Sequence, residues 1–354
     1  MSDVHACRVQ VGPEKPCFII AEAGVNHNGD ISLAKKLIDV ASEAGASAVK
    51  FQTFIAENVV TRVAEKAAYQ KVTTGEEESQ YSMIKKLELS FDQFRELKKY
   101  AEKRNILFLS TPADNECADF LDRLGVPLFK ISSGEVTNYP LLKHLAAKKK
   151  PVILSTGMST LGEIEEAVRI LESGGTTNIT ILHCITNYPS RIEDANLRVI
   201  DTLRSAFKYP VGFSDHTEGI ITSLAAVAMG ACVVEKHFTL DKSLPGPDHS
   251  ASLDPGELKE LVKGIRQIES AMGTGERRLS PAEAEIKKVA RRSIIAGKDI
   301  PKGTMITEDM LVLKRPGTGL HPDFLPHIIG SRSRAAIRRD QLIRLNDINF
   351  SDHR

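Results

Sequence analysis

Apolar residues in this chain gather in short continuous runs separated by longer amphipathic stretches. Eight runs read 18–23 (FIIAEA), 48–53 (AVKFQT), 106–111 (ILFLST), 128–133 (LFKISS), 152–156 (VILST), 179–184 (ITILHC), 211–215 (VGFSD) and 232–238 (CVVEKHF). Continuous rather than alternating apolar positions fit strands covered on both faces, as in a parallel sheet. The stretches between them carry helix signals. Ser90 with Gln93 and Thr160 with Glu163 have capping-box spacing, and Asp254, Pro255 and Glu257 supply an N-cap, a first-turn proline and an N3 carboxylate. Helices are predicted near 31–44, 91–104, 115–124, 140–149, 160–172, 195–207, 219–230 and 255–272.

Eight strand–helix pairs in about 260 residues predict a closed (β/α)8 barrel of the TIM type. The alternative, a doubly wound open sheet, usually has a Gly-rich phosphate turn after its first strand, and AEAGVNHNGD is not one. Beyond Gly273 the pattern changes to a helix started by Ser280, Pro281 and Glu283, then short apolar pieces punctuated by Lys302-Gly303 and Pro316-Gly317. The expected organisation is a barrel domain over 1–275, a linker over 276–290 and a small β-rich module over 291–354.

Charge narrows the class of partner. Among 354 residues, 47 Lys and Arg face 46 Asp and Glu, a net charge of +1 that argues against nucleic acid or a membrane surface and for a small molecule. The balance hides a split: from Arg277 onward 16 basic residues face 9 acidic ones, while the rest of the chain has an acidic excess. Such a split suits a tail that docks on the larger body, its own or a partner's, or simply a solvated basic face. The 5 cysteines are widely spaced without any CxxC, so reduced, cytoplasmic thiols are expected. No apolar run is long enough to span a bilayer, and the amino terminus has no secretory apolar stretch.

In such a barrel, residues at the carboxyl ends of the strands point into the catalytic mouth. Nearly every predicted strand here ends in polar residues: Glu22, Lys50 and Gln52, Lys130 and Ser133, Ser155, Asn187 and Tyr188, Ser214 and His216, and His237. His216 and His237 close neighbouring strands and could converge on one divalent ion, leaving positions for water and a substrate carbonyl; the alternative for each is a structural histidine. The expected ion is Mn²⁺ or Mg²⁺. Lys50 and Lys130 interrupt apolar strands, and a buried ammonium needs an anion. With Ser133, Ser155 and Ser214 they suit a phosphate or carboxylate, or else an internal ion pair with Glu22 or Glu235. Glu22 and Asp248 are placed for proton handling or for gripping sugar hydroxyls, although Asp248 could be an exposed N-cap. Cys184 reads as a buried structural thiol.

The segments AEAGVNHNG, VKFQT, FLSTP, FKISSGE, ILSTGM, LHCITNYP, GFSDHT, EKHFTLDKSLPGPDHSASL and VLKRPGTG resemble those of the bacterial sialic acid synthases, the N-acetylneuraminate and legionaminate synthases. The tail from about Arg292 resembles their antifreeze-like SAF domain, a β-clip module. The resemblance implies condensation of phosphoenolpyruvate with an open-chain N-acyl amino sugar, N-acetylmannosamine or 2,4-diacetamido-2,4,6-trideoxymannose, with release of phosphate. By motif position, His216 and His237 are similar to the family's metal ligands. Lys50, Lys130, Ser133, Ser155, Asn187 and Ser214 match residues around phosphoenolpyruvate, and Glu22, Gln52, Tyr188 and Asp248 those around the sugar and the reacting water. Arg315 in KRPG resembles an arginine that the SAF domain of one subunit inserts into the barrel of the other, which implies a domain-swapped homodimer. Some members place Asn directly after an HCT triplet and His before the Gln of strand two, whereas this chain reads HCITNYP and KFQT. A pyruvate aldolase, metal-dependent or Schiff-base, is the rival chemistry on the same fold.

Overall fold

The computed structural model describes residues 11–12, 14–75 and 77–350. Cys7, one of the 5 cysteines, and the first ten residues of the amino terminus lie outside them. By internal packing the chain forms two units, Met1–Gly273 and Thr274–Arg354.

In the first unit eight parallel strands form one sheet: β1 (Phe18–Gly24), β2 (Ala48–Thr53), β3 (Leu107–Pro112), β4 (Phe129–Ile131), β5 (Val152–Ser155), β6 (Ile179–Cys184), β7 (Val211–Asp215) and β8 (Val233–His237). The ladder runs β3-β2-β1-β8-β7-β6-β5-β4, and its end strands β3 and β4 lie side by side, so the sheet curls into the expected barrel. Helices on the outside cover it. Helix Ile31–Ala44 shows why they form: Ala34, Leu37, Ile38 and Ala41 recur at helical spacing and are buried against the strands. Asp30 caps its first turn by accepting from the Ser32 N–H, and Gly45, at φ 81°, ends it in the left-handed region. Capping boxes form at Ser90/Gln93, Thr160/Glu163 and Asp254/Glu257.

Three departures have local causes. The fourth apolar run yields only a three-residue strand, because the Ser132 carbonyl turns to accept from the Glu135 N–H and starts a tight turn over Ser133–Glu135. The helix expected from 195 begins at Val199, since Asn196 sits at φ 39° and breaks the chain direction. Between β2 and helix Phe91–Lys103 the chain forms three short helices, Ala56–Val59, Ala68–Thr74 and Gln80–Leu87. They are too short to leave a periodic apolar stripe.

The barrel interior is layered. Ile20, Ala48, Leu109, Leu128, Ile153, Leu182 and Val233 form a dry plug. On β7 the register partner of Leu182 is Gly212, where a Cβ would sit 2.5 Å from the Val233 carbonyl and 2.6 Å from Leu182 Cδ2, so only glycine fits. Side chains alternate along a strand, so the next inward layer lies two residues on: Glu22, Lys50, Thr111, Lys130, Ser155, Cys184, Ser214 and Glu235. This layer is polar.

The second unit is β-rich. Strands β9 (Ser293–Ala296) and β10 (Leu311–Lys314) pair antiparallel, as do β11 (Arg332–Ser333) and β12 (Ile348–Asn349). Their core is Ile294, Ile300, Ile306, Ile328, Ile337 and Ile343. Helix Pro281–Ala290, capped by the Ser280/Glu283 box, occupies most of the stretch expected as linker.

Candidate active site

Above the polar layer opens a cavity of about 450 Å³, lined among others by Glu22, Lys50, Lys130, Ser133, Ser155, Ser214, His216, Glu235, His237 and Asp248. At its floor two ammonium groups and two carboxylates interleave. Lys50 Nζ lies 2.6 Å from Glu22 Oε2 and 3.6 Å from Glu235 Oε2, while Lys130 Nζ lies 3.3 Å from Glu235 Oε1. All four side chains are at most 7% exposed. The internal ion pairs offered as the alternative for the lysines are therefore present.

The hydroxyls around them have protons to give. Ser155 Oγ accepts from Lys130 at 2.7 Å, which leaves its O–H to donate into the cavity, and Ser133 Oγ accepts from the Gly157 N–H at 2.9 Å with its own O–H beside the Cys184 sulfur. Ser214 Oγ instead donates to Glu235 at 3.1 Å. A Cβ on Gly157 would stand 1.9 Å from Thr186 Oγ1 and 2.9 Å from Ser133 Oγ, so glycine is required for this close approach.

Burial governs the charge states. It pushes the Glu22 carboxyl up to about 7, against the pull of Lys50, and lifts Asp248 to about 6, against His216. Burial would raise Glu235 as well, but Lys130 and Lys50 outweigh it and hold that carboxyl down to about 2. Burial lowers the proton affinity of Lys130, whereas Glu22 and Glu235 overcome burial at Lys50 and raise it. The floor thus pairs a carboxyl that titrates near neutrality with one that stays charged, a combination suited to proton transfer beside a bound anion.

The two histidines meet at the rim, with ring centroids 5.5 Å apart. His216 Nδ1 donates to the Ile185 carbonyl at 2.7 Å, which assigns the lone pair to Nε2. His237 Nδ1 is buried without a hydrogen-bond partner. A fixed imidazole tautomer and an unpartnered ring nitrogen fit a divalent ion; among the described residues no three His, Cys, Asp or Glu side chains gather into a ready-made ligand set. Behind the pair, on the opposite face of β7 and β8, Asp215 and Lys236 form a buried ion pair at 3.0 Å. Asp215 also accepts from Thr217, Thr222 and Ser223, which braces the strand ends that carry both histidines.

The other expected residues sort clearly. Gln52 donates to Glu22 Oε1 at 3.2 Å, and Tyr188 packs over His216 with centroids 4.0 Å apart. Asp248 is buried on the cavity wall and is not an exposed cap. Cys184 is buried as expected but also lines the cavity, its Sγ 3.8 Å from His216 Nδ1. Asn187 is corrected: it is exposed, off the wall, with its carbonyl accepting from Ser190 Oγ. Thr186 takes its place, with a buried Oγ1 that has no partner. Counting in twos from Cys184, Thr186 follows the strand inward, while Asn187 falls on the other side. Arg315 belongs to the second unit, is exposed, and donates through Nε to the Ala290 carbonyl at 3.0 Å. Sequence reasoning missed Thr186 and Tyr69 as wall residues. Two-residue alternation would have found the first, whereas the second sits on a helix without a sequence signal.

The sequence model of the NeuB family matches residues 37–277, and that of the SAF domain matches residues 291–349. The chain belongs to the NeuB family. Among NeuB relatives, an N,N'-diacetyllegionaminic acid synthase of Campylobacter jejuni is 52% identical over 332 residues, covering 93% of this chain and 99% of that protein. A second synthase of that name, from Legionella pneumophila, is 50% identical over 91% of each chain. The crystal structure of an N-acetylneuraminic acid (sialic acid) synthetase from Leptospira borgpetersenii is 38% identical with a TM-score of 0.69, covering 79% of this chain and 93% of that one. This NeuB chain is accordingly an enzyme, a sialic-acid-type synthase on a (β/α)8 barrel with a SAF domain.

Proposed function

We propose that this synthase condenses phosphoenolpyruvate with an open-chain N-acyl amino sugar and water, giving a nine-carbon 2-keto acid and inorganic phosphate. The observation that carries the reading is the pair of buried lysines at the cavity floor, flanked by the hydroxyls of Ser133 and Ser155. Two cations held by two carboxylates form a neutral floor, and an incoming polyanion is best accommodated when Glu22 takes up a proton. Lys50 and Lys130 then neutralise phosphate and carboxylate while Ser133, Ser155 and Thr186 orient them. C3 of the enol attacks the sugar carbonyl carbon, water adds at C2 with Glu22 handling its proton, and the C–O bond to phosphate breaks. Asp248, Gln52 and Tyr188 face the sugar.

His216 and His237 would hold a divalent ion, Mn²⁺ or Mg²⁺, which when bound supplies Lewis acidity toward the sugar carbonyl. Between the two sugars, similarity to the diacetyllegionaminate synthases favours 2,4-diacetamido-2,4,6-trideoxymannose over N-acetylmannosamine. The reading goes with a cytoplasmic homodimer in which Arg315 contributes to sugar binding; its supports are the free thiols and the basic second unit. The lowered proton affinity of Lys130 favours a second reading, a Schiff-base aldolase acting on pyruvate. A phosphate-release assay with Mn²⁺, phosphoenolpyruvate and each sugar separates the two. Phosphate release without turnover of pyruvate is expected, and pyruvate-dependent product overturns the proposal.

A further inference from the structure

The stretch between β2 and helix Phe91–Lys103 contains a buried charge that the condensation chemistry does not use. The side chain of Lys66 is 1% exposed. Its ammonium is turned onto the carboxyl end of helix Ala68–Thr74, donating to Thr74 Oγ1 at 2.9 Å and to the Gly75 carbonyl at 3.0 Å, with Glu78 Oε1 3.4 Å away. A helix of 7 residues, none of them buried, does not sustain itself in water. A cation at its last turn offsets the dipole and satisfies carbonyls that the helix leaves unpaired.

That helix touches the site at two places. Tyr69 lines the cavity with its ring 5.3 Å from Tyr188, which in turn packs 4.0 Å from His216. Thr73 Oγ1, whose proton is shared with the Tyr69 carbonyl at 3.1 Å, lies 3.4 Å from the carbonyl of Pro247, the residue before Asp248. Among the described residues no hydrogen bond or ion pair joins the helix to Lys130 or Ser155 at the phosphate end.

We infer that Lys66 is a positioning residue for the N-acyl amino sugar: it stitches helix Ala68–Thr74 in place and so holds Tyr69 against Tyr188 and beside the Asp248 loop. The inference rests on the reading above of which residues face the sugar.

The test compares wild type, Lys66→Met, Lys66→Arg and Tyr69→Ala by hydrogen–deuterium exchange of the whole protein and by steady-state kinetics in both substrates. Lys66→Met should exchange about tenfold faster over 68–75. Its KM for the sugar should rise about tenfold while KM for phosphoenolpyruvate stays within about twofold. Lys66→Arg keeps the cation and should recover most of both changes. Tyr69→Ala should raise the sugar KM with the helix still protected, and decides the kinetic question if Lys66→Met does not fold. Unchanged exchange in Lys66→Met, or KM values that rise together, overturn the inference. A wild type that releases no phosphate from phosphoenolpyruvate with either sugar overturns the reading of the site, and the exchange measurement then decides the stitch alone.

Discussion

The lower and upper layers of the barrel interior lie two residues apart on the same strands, yet they obey opposite rules. In the lower layer Ile20, Leu109, Ile153 and Leu182 fill space and are wholly or almost wholly buried; each methylene removed from water favours folding. In the upper layer Glu22, Lys50, Lys130 and Glu235 are as deeply buried but charged, and such a set contributes little net stability. On the function proposed above, binding explains its persistence. A floor of preplaced cations can receive an anion once Glu22 takes up a proton, and the apolar plug beneath it keeps the effective dielectric low.

Substitutions in matched positions break that comparison if it is wrong. The largest effect is expected from Lys130→Met, which should lower kcat/KM for phosphoenolpyruvate about a thousandfold. Glu235 keeps Lys50, so the variant should still fold. Its counterpart Leu109→Ala should lose about 2–5 kcal/mol of stability in denaturant melts while the folded fraction keeps its kcat. Equal effects of both substitutions on both measurements would erase the distinction between the layers.

A glycine pair gives a smaller, sharper contrast. Gly157→Ala drives a methyl into Thr186 Oγ1 and Ser133 Oγ, side-chain atoms that can move, so activity should fall about tenfold to a hundredfold with little change in melting temperature. Gly212→Ala meets the Val233 backbone carbonyl, which cannot move, and should lower stability by about 1–3 kcal/mol. A Gly212→Ala protein that melts like wild type refutes the packed plug.

The smallest effect concerns a buried histidine that does not line the cavity. His27 packs near Phe51 with ring centroids 6.0 Å apart, its Nε2 has no partner, and burial lowers its pKa to about 4. The unfolded chain binds this proton near 6.5 and the folded chain only near 4, so stability is full above pH 6.5 and declines as pH falls toward 4. His27→Gln should flatten the slope of melting temperature against pH in that window. An unchanged slope assigns the acid sensitivity elsewhere.

Much of the site was legible because alternation projects strand-end residues into the barrel, and Glu22, Lys50, Lys130, Ser155, Ser214, His216 and His237 all obey it. Asn187 failed for the same geometric reason: it lies three residues after Cys184, an odd step that points it outward, while Thr186, two residues on, points in. The wall built from helix Ala68–Thr74 was illegible, since a two-turn helix with no buried face has no period to read and depends on Lys66, Tyr188 and Pro247 to stay in place.

Local pattern alone determined the eight strands, their enclosing helices, the capped helix starts and the chemical character of each strand end, because these depend on neighbours a few residues away. Only the closed barrel decided which charges pair, that Glu22 titrates near neutrality while Glu235 does not, and that two histidines 21 residues apart in the chain stand with rings 5.5 Å apart. Those outcomes depend on burial and on distances across the ring of strands, quantities that no stretch of sequence contains.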